Sequence, residues 1–284
     1  MKLKKLLIST CAVLWMQPLA ASPERIVTAD GSLTEIIYAL QAEDTLVGVD
    51  TTSNYPENAT QLPQIGYKRS ISVEGVLSLN PDLLLTTEES GPPKSINQLK
   101  QTGLKVKQFS AEPTVEAVQA KITGIAELLG KADKGEILWN DVQSKIEAAK
   151  AKTKQVKQPV RVLFVLGMNE KSPIVAGHNT HAESMIKLAG GINAIEGLEG
   201  YKPIPPEAVA VANPDIILMM ARKEHSIPAD KLFSQPGFML TKAAKTQGLI
   251  SMEGMYLLGF GPRIGDAIHE LSEKFYPQLK TAQQ

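Results

Sequence analysis

Side chains that could react or bind metal are few and unevenly placed in this chain. The single cysteine, Cys11, sits in an apolar N-terminal run, and the four histidines, His178, His181, His225 and His269, all lie in the second half. A zinc or manganese site shared between two halves would need several histidine and carboxylate ligands spread over both, yet no histidine occurs before residue 131. A GxSxG elbow, a P-loop and an HExxH helix are all missing, and Asp30-Gly31-Ser32-Leu33 stands where a GxGxxG turn would follow the first strand. Catalysis therefore has no assembled set of groups to run it. What remains is chemistry suited to holding a ligand. Two Gly-Tyr-Lys runs occur, Gly66-Tyr67-Lys68 and Gly200-Tyr201-Lys202, the first followed by Arg69. Two glutamates, Glu74 and Glu207, recur in a matching context. Read alone, the tyrosines are loop aromatics, Arg69 and Arg222 are solvated charges, and the glutamates favour helix N-termini.

That matching context is an internal echo. Residues 72–86 read SVEGVLSLNPDLLLT and residues 205–219 read PPEAVAVANPDIILM. At an offset of 133, Glu74 aligns with Glu207 and Asn80-Pro81-Asp82 with Asn213-Pro214-Asp215. Each copy predicts a short amphipathic helix, a Pro-Asp turn and an apolar run suited to a strand buried on both faces. Around them the pattern predicts strands at 25–28, 46–49, 104–109, 160–166, 250–252 and 256–258. Helices are expected at 114–129, 182–188 and 266–276. Another helix follows the first strand, with Ser32 as N-cap and Glu35 completing a capping box. Alternating strand and helix argues parallel α/β in both halves.

Between the halves, Lys131 to Lys157 is rich in Ala, Lys, Glu and Gln, with apolar Leu138, Val142 and Ile146, and stops before Pro159. It predicts one stiff helix of roughly 40 Å at 1.5 Å per residue. The expected architecture is two Rossmann-like α/β lobes, residues 22–130 and 159–284, joined by a single long helix at 131–158, with a ligand cleft between them. Residues 1–21 have the anatomy of a secretory signal peptide: Lys2, Lys4 and Lys5, an apolar run of about eleven residues, and Leu19-Ala20-Ala21 before Ser22. That run is well short of the ~20 residues of a membrane-spanning helix. Cys11 lies inside the run behind Thr10, which argues against lipidation. Without the three lysines, 27 basic residues face 30 acidic ones. A slightly acidic chain without basic runs is a poor partner for nucleic acid. No cysteine follows the leader, so the exported protein has neither disulfides nor thiolate metal sites.

The whole mature pattern resembles the helical-backbone binding proteins of ABC importers, which carry heme, cobalamin, ferric siderophores, zinc or manganese. The run Ile65-Gly66-Tyr67-Lys68-Arg69-Ser70-Ile71-Ser72-Val73-Glu74 is similar to the heme-binding branch, as are Ala176-Gly177-His178-Asn179-Thr180 and Leu258-Gly259-Phe260-Gly261-Pro262-Arg263. The resemblance implies heme as the transported ligand and Tyr67 as the axial iron ligand. A phenolate is a hard oxygen donor and tyrosine an established heme ligand. A free phenol ionises only near pH ~10, so iron and a nearby cation must assist. The resemblance further implies Arg222 facing that tyrosine; Arg69 carries the guanidinium fork that suits a propionate, and Tyr201 either lines the cleft or packs. Some members carry a further histidine ligand after the first strand of the second lobe; Met168 occupies that place here. The position opposite Tyr67 is open among Met168, His178, His181, water or nothing. Glu74 and Glu207 are implied to dock a permease dimer that works with a cytoplasmic ATPase, downstream of an outer-membrane heme receptor. The closest alternative cargo is a ferric siderophore or cobalamin. Clefts for those cargoes commonly use tryptophan, and the one tryptophan after the leader, Trp139, lies in the linker helix.

Overall fold

The computed structural model describes residues 25–169, 172–221 and 227–279; the leader and Arg222 lie outside these ranges. In the first lobe, strands β1 (Ile26–Ala29), β2 (Leu46–Val49), a small hairpin of β3 (Gly66–Tyr67) and β4 (Ser70–Ile71), β5 (Leu83–Thr87) and β6 (Lys105–Phe109) alternate with helices α1 (Gly31–Ala39), α2 (Val73–Ser78), α3 (Pro93–Gln101) and α4 (Val115–Leu128). Helix α5 (Ala132–Thr153) crosses to the second lobe. That lobe contains β7 (Arg161–Asn169), β8 (Ser172–Ala176), α6 (His181–Leu188), β9 (Ile192–Asn193), β10 (Tyr201–Pro203), α7 (Pro206–Ala212) and β11 (Ile216–Ala221). It ends with α8 (Ala229–Phe233), α9 (Lys242–Thr246), β12 (Leu249–Glu253), α10 (Gly254–Leu258) and α11 (Ile264–Phe275).

The first sheet, in order β2-β1-β5-β6, is wholly parallel. The second, β10-β8-β7-β11-β12, is mixed, because β8 folds back antiparallel on β7 and β10 on β8. The expectation of parallel pairing in both halves holds for the first sheet and for β7, β9, β11 and β12 of the second, and fails only for β8 and β10. Residues 256–258 are helical in α10 rather than extended, since the Glu253 carboxylate accepts the Met255 and Tyr256 N–H groups and starts a turn there. The N-cap of α1 is Asp30, not Ser32: its carboxylate accepts the Ser32 N–H at 2.9 Å.

The echo has a structural cause common to both lobes. Asn80 and Asn213 end α2 and α7 in the left-handed region, at φ 52° and 41°, where asparagine is among the few side chains tolerated. Asp82 and Asp215 then accept the N–H groups of Arg25 and Arg161 at 3.0 and 2.9 Å. The guanidinium groups of those arginines return to the open carbonyls of Leu79 and Asn80, and of Ala212. Each lobe thus ties the start of its first strand to the end of α2 or α7.

One apolar cluster runs through Ile36 and Ile37 of α1, Ile122 and Ile125 of α4, Trp139, Val142 and Ile146 of α5, and Ile264, Ile268 and Phe275 of α11. The linker helix is therefore packed against both lobes rather than suspended between them. Polar bonds reinforce the junction. Arg263 grips Glu35 with two hydrogen bonds, 2.8 and 2.6 Å, and lies 3.8 Å from the Tyr55 ring centre. Lys121 donates to the Phe260 carbonyl at 2.7 Å. Burial outweighs Arg263 in setting the Glu35 carboxyl, which titrates above the usual glutamate range.

Candidate functional site

The lobes meet around a cleft of about 440 Å³. First-lobe residues Thr51, Thr52, Tyr67, Arg69 and Glu89 form one wall, and Leu166, His181, Tyr201, Met220 and Leu258 form the other. Tyr67 stands on the β3–β4 hairpin, whose Gly66 has φ +95°, a conformation that glycine adopts without strain. Main-chain bonds hold the hairpin in place. Thr51 N–H donates to the Gly66 carbonyl at 3.0 Å and Gly91 N–H to the Lys68 carbonyl at 2.8 Å.

The two-residue turn sends its cations in different directions. Lys68 turns inward, 2.7 Å from Asp30 and 3.3 Å from Glu89. Arg69 stays at the surface, with its guanidinium 2.6 Å from Glu89 and 3.4 Å from the Tyr67 hydroxyl. Burial alone would raise the Asp30 carboxyl, but Lys68, Lys121 and the hydrogen bonds from Lys68 and Ser32 bring it to about 2. Burial pulls the Lys121 ammonium down to about 8 in spite of Asp30. Burial also raises Glu89, but the charges of Lys68 and Arg69 outweigh it and the carboxyl titrates low. A charge relay therefore runs from the core to the phenol: Asp30, Lys68, Glu89, Arg69, Tyr67. Positive charge rests beside the oxygen that would carry charge in an iron–phenolate bond.

Tyr67, Arg69 and Tyr201 thus share the cleft, whereas Met168 and His178 are not among the residues lining it. Met168 belongs to β7, where the register with β8 slips between Val165 and Gly167. Such a bulge reverses the faces of the residues beyond it. Leu166 keeps the face of Val162 and Phe164 and lines the cleft, while Met168, beyond the slip, packs instead against the second-lobe cluster of Leu163 and Val165. His178 is bound through Nδ1 to Glu183 at 2.6 Å. His181, which the sequence left as an open alternative, does line the cleft. The signal for it was Thr180-His181-Ala182-Glu183, a capping box: Thr180 caps α6 by accepting the Glu183 N–H at 3.1 Å, and His181 becomes its first helical residue. The propionate role implied for Arg69 meets competition from Glu89, which already occupies its guanidinium. Glu89 itself went unnoticed in the sequence, because nothing local marks it.

Glu74 and Glu207 are both exposed on the first turns of α2 and α7, and neither has an ion pair among the described residues. The helices bearing them follow the two tyrosine-bearing segments.

Comparison with known proteins places this arrangement. The periplasmic heme-binding protein BhuT, solved in complex with two hemes, shares 40% identity and superposes with a TM-score of 0.86, covering 91% of this chain and 100% of that one. The uncharacterized ABC transporter substrate-binding lipoprotein YvrC of Bacillus subtilis is 28% identical over 258 residues, 90% of this chain and 81% of the relative. A vitamin B12-binding protein of Vibrio cholerae is 28% identical over 222 residues, 76% of this chain and 78% of its own length. Residues 26–271 match the model of the periplasmic binding protein family, and the chain belongs to that family.

Proposed function

We propose that this protein is an exported carrier that binds heme in the interlobe cleft, with Tyr67 as iron ligand, and delivers it to the permease of an ABC importer. The observation that carries the reading is the placement of Tyr67: a phenol 43% exposed in the cleft, with Arg69 at 3.4 Å, opposite an apolar wall that includes Leu166, Met220 and Leu258. A ferric porphyrin needs such a pairing, a hard anionic donor for the metal and an apolar surface for the macrocycle. Identity to a heme-binding protein at 40% favours heme over cobalamin, whose binding protein matches at 28%. Within the cleft, Arg69 steadies the ligand oxygen, Tyr201 offers an aromatic face, and the packed α5 and the Glu35–Arg263 bond keep the lobes at a set distance. Release then requires the permease to pry them apart, with Glu74 and Glu207 as docking points. The leader is removed near Ala21.

Hemin titration tests the reading. The wild type gives a saturable Soret change with phenolate-to-iron charge-transfer bands, and Tyr67→Ala loses those bands and binds at least ~100-fold more weakly, about 2.7 kcal/mol. Saturable binding of cyanocobalamin in place of hemin assigns the cleft to the other cargo. Mass spectrometry of the protein from the periplasm should find Ser22 as the first residue; a lipidated Cys11 contradicts the leader assignment.

A further inference from the structure

We infer that His181 is the second-lobe donor to the iron of a heme bound at Tyr67. The inference rests on the heme reading above and names the group on the facing wall. The cleft holds few atoms able to complete the coordination of ferric iron, and most are already engaged. The Lys68 ammonium lies between Asp30 and Glu89, at 2.7 and 3.3 Å. The Glu89 carboxylate is held by Arg69 at 2.6 Å. Glu253 accepts the N–H groups of Met255 and Tyr256 at 2.8 and 2.7 Å and the Asn54 amide at 3.0 Å. The Tyr201 ring is packed edge-on to Phe164 at 6.2 Å as part of the cleft wall.

His181 differs from all of these. Its ring makes no hydrogen bond to another described residue and lines the cleft. It is nonetheless held in place: it stands edge-on to the Phe260 ring at 5.3 Å and 80°, and the Thr180 cap sets its backbone. Phe260 is anchored in turn by the hydrogen bond from Lys121 of the first lobe. The imidazole is thus oriented by both lobes while its nitrogens remain open to a ligand. The remaining donors, the thioethers of Met220 and Met255, are soft and suit ferric iron less well than imidazole. Met168, the donor suggested by position in the chain, faces away across the β7 bulge.

Coordination-sensitive spectroscopy of the full-length exported protein with one equivalent of hemin tests this. Resonance Raman markers should report six-coordinate iron in the wild type and five-coordinate iron in His181→Ala. The phenolate bands should persist in that variant, and affinity should fall roughly tenfold. Free imidazole added to His181→Gly should restore the sixth ligand. His178→Ala and Met168→Ala should match the wild type, and circular dichroism shows whether each variant is folded. A five-coordinate wild type, a His181→Ala spectrum identical to the wild type, or loss of the sixth ligand in His178→Ala or Met168→Ala overturns the inference while leaving Tyr67 as ligand. A wild type without a saturable hemin spectrum, or a Tyr67→Ala variant that keeps the phenolate bands, instead brings down the heme reading and this inference with it.

Discussion

The two Gly-Tyr-Lys segments are the same tripeptide in two environments. In the first lobe, Gly66-Tyr67-Lys68 enters a two-residue hairpin turn over buried acids, so Lys68 folds inward and Tyr67 is left standing in the cleft. In the second, Tyr201 begins a strand of the main sheet, with its ring packed edge-on to Phe164 at 6.2 Å. Lys202 is exposed there and has no ion pair among the described residues. One tyrosine is held for a ligand and the other serves as wall. What separates them is how the following lysine is held: Lys68 is paired with Asp30 and Glu89, whereas Lys202 pairs with no acid among the described residues.

Three experiments can break or sharpen that contrast. The largest effect is expected from the lysines. Lys68→Met leaves Asp30 buried with only Lys121 as a cation near it and should cost about 3 kcal/mol in urea denaturation. Lys202→Met should stay within about 0.5 kcal/mol. Equal costs would remove the distinction between the hairpins.

The acid limb of stability comes next. The Asp30 carboxyl is depressed to about 2 in the fold, so its contribution is complete above the ordinary aspartate range and is lost as pH falls toward 2, by something of order 2 kcal/mol. Glu35 acts in the opposite sense, because its raised carboxyl favours the fold less as pH rises through the glutamate range. An Asp30→Asn variant should therefore show a shallower loss of stability between pH 4 and 2 (roughly the window between unfolded and folded values). An unchanged slope would mean that the buried acid is not what braces the first hairpin.

Tyr201→Phe keeps the ring that packs on Phe164, so it should change stability by no more than about 1 kcal/mol and leave the phenolate bands intact; their loss would give Tyr201 the ligand role instead. Outside the cleft, the double reversal of Glu74 and Glu207 to lysine should shift stability by no more than about 0.5 kcal/mol. It should leave hemin binding unchanged and abolish uptake by vesicles containing the permease and ATPase. Unimpaired uptake would sink the docking role.

Much of the scaffold could be read from local pattern. The Asn-Pro-Asp turns, the strand at 46–49 and the helix expected at 114–129, found as α4, each depend on residues a few positions apart. The linker helix was expected at 131–158 and spans Ala132–Thr153, ending once the apolar stripe that packs it against both lobes has run out. The antiparallel excursion of β8 and β10 was missed because short strands without strict alternation resemble loop.

The site divides along the same line. Sequence by itself determined which loop carries the tyrosine, that a glutamate opens the helix after it in each half, and that strands and helices alternate, since these are properties of neighbouring residues. Only the tertiary structure decided which side chains face the ligand. A one-residue bulge in β7 turned Met168 away from the face that Leu166 shares with the cleft, a carboxylate twenty positions distant engaged Arg69, and Phe260, far along the chain, gave His181 its orientation. Strand faces alternate with a period of two, so a single inserted residue reverses them. Pairings across so many positions are set by packing of the whole fold, which local periodicity does not encode.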